Sequence, residues 1–327
     1  MECRPASILS AQELRLPMSS TAPSQPSGHG QGRETPLLIT LDLHKHREIA
    51  RCVQESAELF SHYGQRATYF VPAGYLRMYD SLTHTLRRVR EMGHDVGCHG
   101  LNHTPDEDLG LLPPDREFAL LREATSRLED GLGAQVTSFR APCYRISQHT
   151  LRALDELGYK ADLSMTPQQV PILSSAPWTM GRLLAPRSPY HPSKASPWRR
   201  GDLRLLEIPT SCFLVPFAQA TVLALPVFSD RLMRPLLAFE ARRFKRPLVL
   251  QLHPESVVGK DDWKFPPLQW RDFLPARAGG FKFRYKLIER DPVKVKAMTD
   301  RLLAGLRSEA DLKSVSVTEY LANGYVT

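Results

Sequence analysis

From Leu37 to Leu163 the chain alternates short apolar runs with longer stretches of helical periodicity, and nothing else in it constrains the fold as much. Residues 37–43, 67–71, 95–98, 136–139 and 160–163 read as strands. Residues 48–63, 81–92, 114–132 and 148–157 repeat their apolar positions at helical spacing. Gly64, Gly93, Gly133 and Gly158 stand just past or at the ends of those helices, where a left-handed cap is needed. Strand–helix–strand repetition implies parallel strands joined by right-handed crossovers. A barrel and a doubly wound sheet both satisfy it, and periodicity does not choose between them. Residues 171–201 break the pattern with many prolines and two tryptophans, Trp178 and Trp198, and read as a long surface loop. Strands resume at 203–209 and 247–253, with helices at 229–243 and 292–306. A last strand is expected at 315–318, followed by a short helical tail.

At 327 residues, 42% of them apolar and 24% charged, the chain suits one large α/β domain or two modest ones. The first 35 residues are rich in Ser, Pro, Gly and Gln and are expected to be disordered, leaving a folded domain over 36–327. They hold no apolar run of signal-peptide length, and no segment has the apolar length to span a bilayer. The expectation is a cytoplasmic protein. Five cysteines at irregular spacing, with no CxxC pair, argue against a disulfide framework or a zinc ribbon. A net charge of +8 favours anionic partners such as acidic glycans or phospholipid-linked sugars. The basic residues are scattered and no nucleic-acid motif occurs, so nucleic acid is not expected.

The chemically useful side chains sit at the ends of the expected strands. Asp42 ends the first, His99 and His103 follow the third, Arg140 follows the fourth, Asp162 lies in the fifth and His253 ends a late one. Parallel β/α folds gather the carboxyl ends of their strands at one face, so these six form a candidate site. An H-x-x-x-H pair such as His99 and His103 places two imidazoles on one side of a helical turn, close enough to share a cation. The same spacing is also common in unrelated loop histidines, so it decides nothing alone.

The order of the motifs carries more. Ile39-Thr40-Leu41-Asp42, Arg66 to Val71, Gly93-His94-Asp95-Val96-Gly97-Cys98-His99 through His103, Phe139-Arg140-Ala141-Pro142, Leu157-Gly158-Tyr159 with Asp162 and Ser164, and Leu250 to Pro254 occur in sequence. This series resembles the motifs of the polysaccharide deacetylase family across residues 38–254. The resemblance implies a deformed (β/α) barrel of about seven strands. It implies metal-dependent hydrolysis of an N-acetyl group, usually on an amino sugar, here including a nucleotide- or lipid-linked one. Asp42 matches the general base, Arg140 the arginine that braces it, His99 and His103 metal ligands, His253 the general acid, and Asp162 the carboxylate that orients His253 and raises its pKa. Cys143 and Tyr144 follow Pro142, where the family holds the oxyanion. A divalent cation is implied, zinc first, with cobalt, nickel or iron also suited to imidazole.

One motif departs from the family. The second Asp, a metal ligand, is Leu43 here, and leucine cannot bind a cation. His44, one residue on, offers an imidazole in its place. Residues 190–193 and 201–209 also resemble deacetylase-type proteins of exopolysaccharide and O-antigen gene clusters. Trp178, Tyr190 and Trp198 either stack on sugar faces or pin the long loop. The broken motif leaves two other readings open: an allantoinase-like or cyclic-imide hydrolase on the same fold, and an inactive barrel that binds glycan.

Overall fold

The computed structural model describes residues 34–168, 180–260, 267, 269–276, 280–281, 286–309 and 311–325. The expected N-terminal segment lies outside them up to residue 33, as does Trp178. Seven parallel strands form the main sheet: β1 (Thr35–Asp42), β2 (Ala67–Val71), β3 (Asp95–Cys98), β4 (Ser138–Phe139), β5 (Ala161–Asp162), β6 (Leu206–Glu207) and β7 (Leu248–Leu252). Their spatial order is β7-β1-β2-β3-β4-β5-β6. An eighth strand, β8 (Leu312–Ser314), pairs with the first residues of β1, where Ser314 also bonds the backbone of Arg66. The sheet is a half-barrel, the deformed β/α barrel that the motif series implied.

Helices α1 (Ile49–His62), α2 (Leu82–Glu91), α3 (Pro114–Leu132) and α4 (Gln148–Glu156) follow the first strands, close to their expected bounds. Later come α5 (Arg234–Arg243), α6 (Pro292–Arg307) and α7 (Val317–Ala322). The expected helix over 229–243 is divided, since residues Ser229–Met233 wind as a π-helix before α5. The expected strand at 315–318 is corrected. Val317 and Thr318 begin α7, because the Ser316 hydroxyl accepts the Glu319 backbone N–H and caps a helix there. Within the long stretch at 171–201, an antiparallel hairpin pairs Pro192–Ser193 with Ser196–Arg200.

Side chains alternate across a strand with period two, and that alternation aims the site. In β1, Leu37, Ile39 and Leu41 join the large cluster that includes the α1 and α2 side chains, and Leu43 continues it. Leu38 joins a smaller inner cluster with Phe70 of β2, Leu163, Ile208 and Val249. Thr40, Asp42 and His44 share the parity of Leu38 and rise from that inner cluster to the rim. In β7, Val249 is inner while Leu248, Leu250 and Leu252 pack outward, so His253 shares the inner parity. The interior is narrow at β3: a Cβ on Gly97 would come within 2.5 Å of the Phe70 ring and 2.7 Å of the Ser138 hydroxyl.

The edge strands β7 and β6 are not paired with each other; an irregular segment spans them. Thr210 N–H donates to Met165 O, Ser211 N–H to Val249 O, and Gln251 N–H to Phe217 O. Among the described residues no helix is long and apolar enough to cross a membrane. Cys52, Cys98 and Cys212 are buried free thiols, and Cys143 is exposed.

Candidate active site

Four imidazoles meet at the carboxyl rim. Ring centroids are 4.3 Å apart for His44–His253, 4.9 Å for His44–His103, 5.1 Å for His99–His103 and 6.4 Å for His44–His99. One nitrogen from each of His44, His99 and His103 lies within 4.8 Å of the others, which suits three ligands around one cation. His99 and His103 are not on a helical turn, contrary to expectation. His99 extends β3, its N–H bonded to Val71 O, and His103 sits in the following loop at φ 58°. Glu107 shapes that loop by accepting from the Asn102 backbone N–H at 2.7 Å and its amide at 2.6 Å.

The donor set fits a metal. His99 Nδ1 lies 2.8 Å from Arg140 O, so this nitrogen carries the proton and Nε2 keeps the lone pair. The Nε2 atoms of His99 and His103 are buried with no hydrogen-bond partner among the described residues. Burial, then the neighbouring imidazoles, push the pKa of His44 well below that of a free histidine. Burial likewise lowers His99 and His103. All three are therefore neutral at pH 7, the form that binds metal.

Beside them lies an acid–base pair. Arg140 is fully buried and donates from Nη1 to Asp42 Oδ1 at 2.9 Å and to Thr40 Oγ1 at 2.8 Å. Its Nε donates to Leu163 O at 3.1 Å, and its guanidinium lies 4.7 Å over the Phe70 ring. Asp42 is thus held as a paired carboxylate with one face against Arg140. Burial pulls His253 down to about 4, against the raising effect of the Asp42 charge.

Residues 29–161, less than half of the chain, match the family model for polysaccharide deacetylase. Over that stretch the chain is similar to polysaccharide deacetylases. A peptidoglycan deacetylase-like protein of Gibberella zeae, FGM2, is 26% identical over 102 residues, 31% of this chain. The match spans only 28% of that relative's length. A solved structure assigned to a polysaccharide deacetylase from Mycobacterium smegmatis superposes with a TM-score of 0.55 at 17% identity. It covers 92% of this chain and 94% of that one, and the likeness shows the fold.

The half-barrel does not gather every residue that the motifs nominated. Asp162 is fully buried, but Ala161 and Leu163 on either side belong to the inner cluster, so its side chain turns outward. There it accepts from Ser164 Oγ at 2.6 Å and pairs with Glu207. Burial raises the pKa of both carboxyls, and their mutual repulsion raises Glu207 further, so the pair holds a shared proton. The geometry gives Asp162 to this pair rather than to His253, and the expected rise in the His253 pKa is a fall. Tyr190 is 1% exposed and donates to Pro197 O, tying the hairpin to β6; it offers no face to a sugar. Trp198 packs on the core with Arg182 stacked 5.1 Å from its ring.

Cys143 and Tyr144 do lie at the rim, both in the left-handed region at φ 53° and 57°. Such backbone costs about 1–3 kcal/mol per non-glycine residue and clusters at functional sites. The Tyr144 N–H is used within the turn, donating to Ala141 O at 3.0 Å. Glu207 and Glu255 were not foreseen. An acid inside the apolar run 203–209 was the signal for the first, and an acid directly after His253-Pro254 for the second. A cavity of about 430 Å³ lies at the opposite end of the sheet, beside Arg66, Arg307 and Lys313. It holds no imidazole, and the chemistry described here belongs to the other rim.

Proposed function

We propose that this chain is a metal-dependent hydrolase that removes the N-acetyl group from an amino sugar or glycan. One observation carries the reading: three neutral imidazoles converge within 4.8 Å beside a carboxylate clamped by a buried arginine. His44, His99 and His103 would hold a divalent cation, zinc being the metal most suited to three imidazoles. Such a cation, when bound, lowers the pKa of water and polarises an amide carbonyl.

The chain's own residues do the rest. Asp42, fixed by Arg140, takes a proton from water. The amine of the sugar leaves only when protonated, and His253 gives it that proton in this reading. His253 is neutral in the resting site, since burial holds its pKa near 4. The Asp42 charge favours the imidazolium, and in this reading the proton taken from water passes by way of Asp42 to His253. Glu207 and Asp162 keep the floor of β5 and β6 rigid with their shared proton. Cys143 and Tyr144 turn the chain at the rim and line the approach of the acetamido group. An N-acetylated sugar of anionic character, including one linked to a nucleotide or a lipid, suits the net charge of +8.

Acetate release from N-acetylglucosamine oligomers, with zinc, cobalt or nickel supplied, is the direct assay. Asp42→Asn and His253→Ala are each expected to lose about 10²–10⁴-fold in rate while still binding sugar. Variants that match the wild type in a confirmed activity would remove this site as the catalyst.

A further inference from the structure

The helical stretch from Pro226 to Arg243 turns one face inward and leaves the other bare. It opens with a short α-turn (Pro226–Phe228), passes through the π-helix and continues as α5, roughly 25 Å in all. Met233, Leu237, Ala238 and Ala241 point inward and join the core cluster with Leu302 and Leu306 of α6. On the other side Val227, Leu232 and Phe239 are each more than half exposed, as is Phe244 just past the helix. Leu232 and Phe239 stand two turns apart on one row, which the half-buried Phe228 and Pro235 complete. The charges along this stretch are sorted. Asp230 pairs with Arg234 at 3.3 Å, Glu240 with Arg187 and Arg246, and Arg242 with Glu309. Arg231, Arg243 and Lys245 are exposed beside the apolar row and take no ion pair among the described residues. Both acids are thus neutralised from within, and the bare face shows apolar side chains set among uncompensated cations.

We propose that this face docks the protein on an anionic lipid bilayer. Leucine and phenylalanine in a row, flanked by arginine and lysine, make a helix that lies in the plane of a membrane surface. The apolar groups enter the headgroup boundary while the long cationic side chains reach back to the phosphates. Charge favours lipid over a protein partner, because the centres of protein interfaces are depleted of lysine whereas anionic headgroups attract it. The net charge of +8 acts in the same direction. One consequence rests on the deacetylase reading. Gln219, in the short helix Gln219–Ala224 just before Pro226, accepts the His253 N–H at 3.2 Å. At the other end, the residues after Arg243 lead into Leu248, the start of β7. The docking stretch therefore runs from the rim to the far end of the sheet. Once docked, the barrel lies on its side with its mouth at the bilayer surface, where the acetamido group of a lipid-linked sugar is presented.

The test is sedimentation of the full chain with vesicles, one set of phosphatidylcholine alone and one of phosphatidylcholine and phosphatidylglycerol in equal parts. The wild type is expected to sediment with the second set and to stay in solution with the first. Binding should fall steeply at about 1 M salt, where screening acts beyond about 3 Å. Leu232→Ser with Phe239→Ser, and separately Arg231→Glu with Arg243→Glu, should each weaken it about tenfold or more. Arg152→Glu with Arg199→Glu changes the charge equally at exposed positions off this face, and should keep most of the binding. A wild type that ignores both vesicle sets overturns the proposal, and that outcome does not depend on any variant folding. An equal loss in the Arg152 and Arg199 pair also overturns it, since binding would then follow net charge alone. So does a wild type that is dimeric without vesicles and becomes monomeric on Leu232→Ser with Phe239→Ser, which gives the face to a second copy. Vesicle binding with no acetate released from any acetamido sugar keeps the docking face and removes the deacetylase reading.

Discussion

At the residue scale, the departure Leu43 is explained by parity. A side chain at 43 packs outward among the leucines of β1, whereas 42 and 44 face the rim. The polar pair Asp42 and His44 keeps the proposed base and the proposed ligand on one side of the strand. His44→Ala should therefore weaken metal binding while leaving the melting temperature of the metal-free protein close to wild type; unchanged cobalt affinity by titration would make His44 a loop residue. Arg140 is the more demanding position. Its removal leaves Asp42 buried and unpaired, which typically costs about 3–5 kcal/mol. Arg140→Ala should lower the urea midpoint accordingly, and a loss below about 1 kcal/mol would show that water replaces the guanidinium. Much of this site was legible because the motifs placed Asp42, His99, His103, Arg140 and His253 at strand ends. Asp162 was misassigned for a physical reason: in a two-residue strand, no run of alternating side chains exists from which its facing can be read.

At the scale of elements, α3 and α4 meet through Glu117, a fully buried glutamate in the first turn of α3. Thr150 Oγ1 donates to it, as does Ser147 Oγ at 3.3 Å, joining it to the capping box of α4. Burial pushes Glu117 up to about 7, from a reference of 4.5. An acid with a raised folded pKa binds more protons folded than unfolded between those two values. Its contribution to stability is thus complete below about 4.5 and falls as pH rises to about 7. The slope is at most roughly 1.4 kcal/mol per pH unit. Denaturant midpoints of the wild type and Glu117→Gln across this range should converge at low pH, with the variant the more stable near neutrality. Parallel curves would show that Glu117 titrates normally. Helix ends were readable wherever glycine or a capping serine marked them. The strand expected at 315–318 failed because the β-branched Val315, Val317 and Thr318 outweighed Ser316 and Glu319, which form the S-x-x-E start of a helix.

For the whole molecule, the half-barrel stands on close contacts inside the sheet. Gly97 is where β3 passes over the Phe70 ring, and there is no room for a methyl group. Gly97→Ala should destabilise the fold by about 1–3 kcal/mol, the usual cost of overpacking, seen as a lower urea midpoint with unchanged slope. A neutral result would mean that Phe70 has room to turn. The parallel architecture was legible from alternation, but the closure was not. The segment at 208–218 spans β6 and β7 with single hydrogen bonds rather than a ladder, and no periodicity announces such a stretch. Register within it is confined to a small hairpin, Cys212–Phe213 with Val215–Pro216, and one bridge from Ala218 to Gln251, so residues can be gained or lost at the hairpin turn without moving Asp42, His99 or Arg140. The mouth of the barrel can therefore be resized by insertion or deletion while its imidazoles stay put, which makes this segment the natural place to graft a different specificity.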